Sequence, residues 1–167
     1  MTLYIGVDPG ANGFICCLDP DNKEAEFISN KAQHPSMIWN ELQNQLFLNT
    51  CKCILIEDVH SLPSMSAKSN FSFGWNCGEI HMLLGLLKIP IKVVQPKVWQ
   101  KHVGVAPVPA GLKQSERTKI QKQHVATTCG LIYPDIPIYG PRGGLQDGKA
   151  DSLMIAHYSY LTQDITQ

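Results

Sequence analysis

The sequence lacks any apolar stretch near the roughly 20 residues that a membrane-spanning helix requires. Even the strongest run, from Ile80 to Leu87, is interrupted by His81. A secretory leader is not expected either, because Met1-Thr2-Leu3-Tyr4-Ile5 places no basic residue ahead of an apolar segment. There is no net charge, with 14 Lys and Arg against 14 Asp and Glu, which argues against an indiscriminate nucleic-acid binder. Zinc-type cysteine spacing is missing too. Cys51-x-Cys53 has a single-residue gap, and the six cysteines read as reduced thiols of a cytoplasmic protein. What remains is a soluble domain spanning residues 1–167, long enough to bury a substantial core, with no internal repeat and no boundary.

Turn signals divide the chain. Leu3 to Val7 is a short apolar run that stops at Asp8-Pro9-Gly10. Gly13 to Leu18 reads as a second strand, closed by Asp19-Pro20-Asp21-Asn22, and Glu24 to Ser29 as a third. Residues 36–48 carry a helical stripe, and Cys53 to Ile56 is a continuous apolar run suited to a strand buried on both faces. A helix follows over 69–87, then a strand at Ile91 to Val94, with Pro96 placed to open another helix. Residues 104–111 form a loop, 115–129 a basic helix, 132–146 an irregular segment, and 148–161 the last helix. The order predicts an α/β fold: a mixed five-stranded sheet, antiparallel meander first and parallel strands after, flanked by helices.

The zero net charge conceals a division. Residues 1–60 hold three basic residues against eight acidic ones. From Lys88 to His124 the chain has eight basic residues, among them Lys97, Lys101, Lys113, Arg117, Lys119 and Lys122, against Glu116 alone. Such a segment is either a polyphosphate-binding surface or a solvated helix face.

Four acids stand at element ends. Asp8 ends the first strand and Glu57 follows the fourth, so the two approach each other if those strands are neighbours. Asp147 and Asp151 are four residues apart and share one face of the last helix. Brought together, such carboxylates repel unless protonated or bound to cations. Hard oxygen donors favour Mg²⁺, with Mn²⁺ as a substitute, and a pair of such ions serves phosphodiester hydrolysis. Taken singly, Asp8 can cap a turn and Asp147 a helix. Asp58 competes with Glu57, but neighbouring strand residues face opposite ways, so one of the two points to the site.

The same segments resemble a known family. Ile5-Gly6-Val7-Asp8-Pro9-Gly10-Ala11-Asn12-Gly13 is similar to the opening strand and turn of RuvC-like Holliday junction resolvases, and Leu55-Ile56-Glu57-Asp58-Val59 to their second acidic strand. Ser66 to Phe71 with Gly74, Gly78 and Gly85, Val94 to Gln100, and Asp147 to Leu153 complete the set in order. The resemblance covers nearly the whole chain and is strongest to the phage-type and orphan branch. It implies an RNase H-like fold, a homodimer, and Mg²⁺-dependent paired cuts in four-way and other branched DNA, with two ions per site. Asp8, Glu57 and Asp151 match the family's metal-binding acids. Asp147 departs from the bacterial pattern, whose three-residue spacing falls on Gly148, and suits the phage-like branch.

Further residues follow from the resemblance. Lys68, Ser69 and Asn70 would contact the DNA backbone or cap a helix, and Lys149 would reach the scissile phosphate or stand on the surface. Phe71, Phe73 and Trp75 would stack on bases or pack in an interface, and His60 would assist proton transfer or merely occupy a loop. Two other functions compete: a nuclease of the same fold with flap or RNA–DNA hybrid specificity, and a catalytically silent branched-DNA binding protein. An actin-like ATPase shares the Asp-x-Gly opening but needs a second phosphate loop, which is missing here.

Overall fold

A computed structural model describes residues 1–31, 33–60 and 66–163. The elements run β1 (Tyr4–Val7), β2 (Phe14–Asp19), β3 (Glu24–Ser29), α1 (Pro35–Phe47), β4 (Ile54–Glu57), α2 (Ala67–Leu86), β5 (Ile91–Val94), α3 (Pro96–His102), α4 (Gln114–Ile132) and α5 (Asp147–Gln163). The strands form one sheet in the order β3-β2-β1-β4-β5. β1, β2 and β3 pair antiparallel, while β4 lies parallel to β1 and to β5. The mixed sheet expected from the turn signals is therefore present, with β1 and β4 adjacent.

Side-chain alternation sends the two faces of the sheet into separate cores. Leu3, Ile5, Val7, Ile54 and Ile56 pack with Ile38, Leu42, Ile80, Leu83 and Leu84 of α1 and α2. Tyr4, Cys16, Leu18, Cys53 and Leu55 pack with Trp99 and with Leu153, Met154 and Ala156 of α5. The period of two fixes which acids share a side. Asp8 continues the Tyr4–Gly6 face and Glu57 the Cys53–Leu55 face, so both point toward α5.

α5 lies directly on β1. A Cβ on Gly6 would come within 2.2 Å of the Ala156 backbone nitrogen and 2.3 Å of the Ser152 carbonyl oxygen, so only glycine permits this approach. Several helix ends differ from the sequence expectation by one to three residues, those of α2 and α4 for visible reasons. α2 starts at Ala67 because Ser66 caps it, its Oγ accepting the Ser69 N–H at 3.1 Å. α4 continues past Cys129 to Ile132, anchored by buried Val125, Ala126 and Cys129. All six cysteines are free, and no helix among the described residues is long and apolar enough to cross a membrane.

Candidate active site

The strand register places Asp8 and Glu57 side by side. Val7 pairs with Ile56, so the residues that follow leave the sheet together at the carboxyl ends of two parallel strands. α5 brings Asp151 over them. Each acid is held by a different device. The Asp8 carboxylate accepts the Gly10 N–H at 3.0 Å. Asn30, at the end of β3, donates through Nδ2 to the carbonyl oxygens of Asp8 and Gly10 at 2.8 and 3.2 Å, which fixes the turn. Trp99 is fully buried, and its indole Nε1 donates to Glu57 Oε1 at 2.9 Å. Sequence reading missed both Asn30 and Trp99. Neither carries a local signal, because each acts through a hydrogen bond that exists only after distant segments meet.

Burial and like charge together disfavour ionisation. Burial raises the Glu57 carboxyl from its ordinary 4.5 to about 7, against the lowering bond from Trp99, and the charges of Asp8 and Asp58 add to the rise. Asp8 is raised by burial, an effect opposed by the Gly10 N–H and reinforced by Asp147. Asp151 lies well above the usual carboxylate range, through burial first and then Glu57, Asp8 and Asp147. Asp8 and Asp151 are crowded by protein yet each remains partly exposed. Lys122 is the cation whose field lowers both of them.

Two of the acids open onto a cleft of about 550 Å³ between α3, α4 and α5. Glu57 and Asp151 lie along it, with Lys97, Arg117 and Lys122 among its lining residues. Arg117 also donates to the Pro109 carbonyl oxygen at 3.3 Å. Lys122 forms an ion pair with Asp147, so Asp147 is engaged by a lysine rather than serving as a helix cap. Asp58 faces a different hollow with Val59, His60 and Phe73, and His60 sits 3.4 Å from its carboxylate. Of the two neighbouring acids Glu57 is therefore the one at the cleft, and His60 lies apart from it.

The remaining expected residues are dispersed. Lys149 stands over the Phe27 and Phe14 rings, at 4.9 and 5.6 Å from their centroids. Lys101, Lys113 and Lys119 are exposed on α3, the approach to α4 and α4, and Lys119 lines the cavity beside Asp147. Lys68 and Ser69 are exposed in the first turn of α2, where the Ser69 hydroxyl lies 2.9 Å from that of Ser66, and Asn70 is half-buried there. Phe71 and Trp75, 70% and 60% exposed, belong to no core.

Carboxylate oxygens crowded at partly open positions are the donors that a hard divalent cation takes, so the residue set fits Mg²⁺ or Mn²⁺ by its chemistry. Among the described residues, no three acid, imidazole or thiol side chains are arranged to hold an ion as they stand. The oxygens in question are engaged by Gly10, Trp99 and Lys122.

No family model matches the sequence, and no curated protein matches it. Solved structures do. A RuvC from Thermus thermophilus, described in complex with Holliday junction substrate, is 12% identical and superposes with a TM-score of 0.62 over 99% of this chain and 97% of that one. The chain has the RuvC fold. A second Thermus thermophilus RuvC structure, 13% identical, gives a TM-score of 0.51 over 96% of each chain. The RuvC fold, an RNase H-like arrangement, confirms the expected architecture along its whole length. The identities carry the likeness no further than fold.

Proposed function

We propose that this chain is a divalent-metal-dependent endodeoxyribonuclease that resolves four-way and other branched DNA. The observation that carries the reading is that Asp8 and Glu57 both lie close enough to Asp151 to raise its carboxyl, while Glu57 and Asp151 line a cleft together with Lys97, Arg117 and Lys122. A fold supplies a scaffold and a site supplies the function. Here the site pairs anionic donors with cations placed to hold a polyphosphate chain.

Asp8, Glu57 and Asp151 would hold the metal, with Asp147 able to join them. Two Mg²⁺ ions, or Mn²⁺ in their place, would supply Lewis-acid stabilisation of the phosphate and of the leaving oxygen. Lys97 and Arg117 hold the DNA phosphates along the cleft, and Trp99 orients Glu57. Water attacks phosphorus and the bond to the 3′ oxygen breaks, leaving a 5′-phosphate and a 3′-hydroxyl.

A four-way junction has two-fold symmetry, which a homodimer matches. α2 offers a face for it. Phe71, Trp75, Met82 and Leu86 are exposed along one stripe, interleaved with Gly78 and Gly85, where an added Cβ would meet open space. Alternate spacings of four and three residues, with small residues between large ones, suit a second copy of the same helix. The six free thiols suit the reducing cytoplasm of a bacterial or phage-infected cell.

The test is cleavage of a synthetic four-way junction with and without Mg²⁺, mapped on all four strands beside flap and RNA–DNA hybrid substrates. Paired, symmetry-related cuts that need metal are expected. Rapid hybrid cleavage with intact junctions would replace junction resolution by the hybrid reading. Binding without any metal-dependent cut would leave only a branched-DNA binding protein.

A further inference from the structure

We propose that Lys122 is a built-in counter-cation of the carboxylate cluster, which holds Asp147 until a divalent ion displaces it. The inference rests on the metal-dependent reading above. Lys122 lies on α4 and Asp147 opens α5, and the lysine Nζ contacts Asp147 Oδ2. Lys122 lines both the cleft of Glu57 and Asp151 and the adjoining cavity of Asp147. It therefore stands at the junction of the two, one helical turn from Asp151 through Asp147.

Two other cations near the acids have partners of their own. Lys149 sits over Phe14 and Phe27, and Arg117 donates to the Pro109 carbonyl oxygen. Lys122 is the one that offsets the repulsion among Asp8, Asp147 and Asp151. Both members of its ion pair are partly exposed, at 46% and 40%. Such a pair is weak in water, so a doubly charged ion can take Asp147 from it. Once released, the lysine is left at the cleft wall facing bound phosphate. Lys122 thus trades a carboxylate partner for a phosphate partner, and metal loading and DNA engagement are coupled through it.

Removing Lys122 should strengthen metal binding for two reasons of the same sign. Asp147 no longer has a competing partner, and a positive charge near the ion is gone. The experiment uses the full chain without DNA: Mg²⁺ titration calorimetry and thermal melts in chelator and in Mg²⁺. Lys122→Met should bind Mg²⁺ about threefold or more tighter, melt lower in chelator and gain more from Mg²⁺ than wild type. In an Asp147→Asn background the same substitution should raise Mg²⁺ affinity less, because only the loss of the nearby positive charge remains. Lys119→Met, which removes a like charge one turn away, should shift affinity less than Lys122→Met does. Lys122→Gln serves if the methionine variant does not fold. Equal or weaker Mg²⁺ binding by Lys122→Met overturns the proposal, as does an effect that persists undiminished beside Asp147→Asn. Wild type that binds no Mg²⁺ at all sinks the metal reading itself, a different failure.

Discussion

The two ends of the sheet treat their acids in opposite ways. At one end Asp19 closes β2, is only 4% exposed, and accepts hydrogen bonds from the N–H groups of Asp21 and Asn22 and from Asn22 Nδ2. Its oxygens complete the turn they sit in. At the other end Asp8, Glu57 and Asp151 crowd one another, each pushed toward the protonated form by burial and by like charge. The first arrangement is self-sufficient. The second makes chemical sense with cations in it, and this difference separates a structural acid from a functional one better than burial does.

The largest effect expected tests that contrast directly. Asp151→Asn should lower junction cleavage roughly a thousandfold or more while leaving junction binding, read by gel shift, nearly intact. In chelator it should also raise the melting temperature, because it removes a member of a repelling cluster. Asp19→Ala should do the reverse, costing about 1–3 kcal/mol of stability with cleavage per folded molecule unchanged. Equal loss of cleavage in both variants would erase the distinction between the two ends.

A second prediction concerns pH. A carboxyl raised by folding binds its proton more tightly in the folded chain than in the unfolded one. Above its ordinary value the folded state is therefore penalised, and the penalty is complete once pH exceeds the folded value. For Glu57 that window runs from 4.5 to about 7. Metal-free protein should lose stability between about pH 4.5 and about pH 7, by at most about 3 kcal/mol from this group. Mg²⁺ should shrink or invert the loss. Melts across that range in chelator check it: Glu57→Gln should flatten the slope, and a flat wild-type profile would show that Glu57 is not held up.

Much of this architecture is legible in the sequence. β3 and β5 occupy the expected residues, and β1 and β4 fall within a residue of their apolar runs, because strand burial and turn chemistry are local signals. Strand alternation says that one of Glu57 and Asp58 faces the site, and the family resemblance picks Glu57. What is not legible depends on interactions between distant segments. Asn30 and Trp99 position the acids through side-chain hydrogen bonds across 22 and 42 residues of sequence. Lys149, one helix position from Gly148, turns onto the rings of β2 and β3, which no count of charges along α5 reveals. The Lys122–Asp147 pair likewise joins two helices whose crossing is set by the fold.

Packing at the acidic end supplies a third and smaller effect. A Cβ on Gly148 would approach the Asn12 carbonyl oxygen to 2.6 Å, the Gly13 Cα to 2.9 Å and Asp8 Oδ2 to 3.1 Å. The first two neighbours are backbone and do not yield easily. Gly148→Ala should therefore cost about 1–3 kcal/mol by overpacking and lift the start of α5 from the Asp8 turn. Cleavage should drop with it, and calorimetry of the variant beside its cleavage rate reads both. An unchanged melting temperature would mean that α5 is not seated as tightly as Gly148 implies.

The smallest effect asks which end of the sheet meets DNA. Arg117 lines the cleft of the acids, whereas Lys23 lies in the turn beside Asp19, at the opposite end of the sheet, with its backbone at φ 55°. Each DNA phosphate that a side chain ceases to neutralise takes about 0.9 off the slope of log affinity against log salt concentration. Arg117→Gln should lower that slope by this amount and weaken junction binding a few-fold at moderate salt. Lys23→Gln removes the same charge from the whole molecule and should change neither slope nor affinity. Binding isotherms at several salt concentrations separate the two. If both variants shift the slope equally, the protein senses DNA through net charge alone, and the basic wall facing Glu57 and Asp151 has no special part in holding the strand.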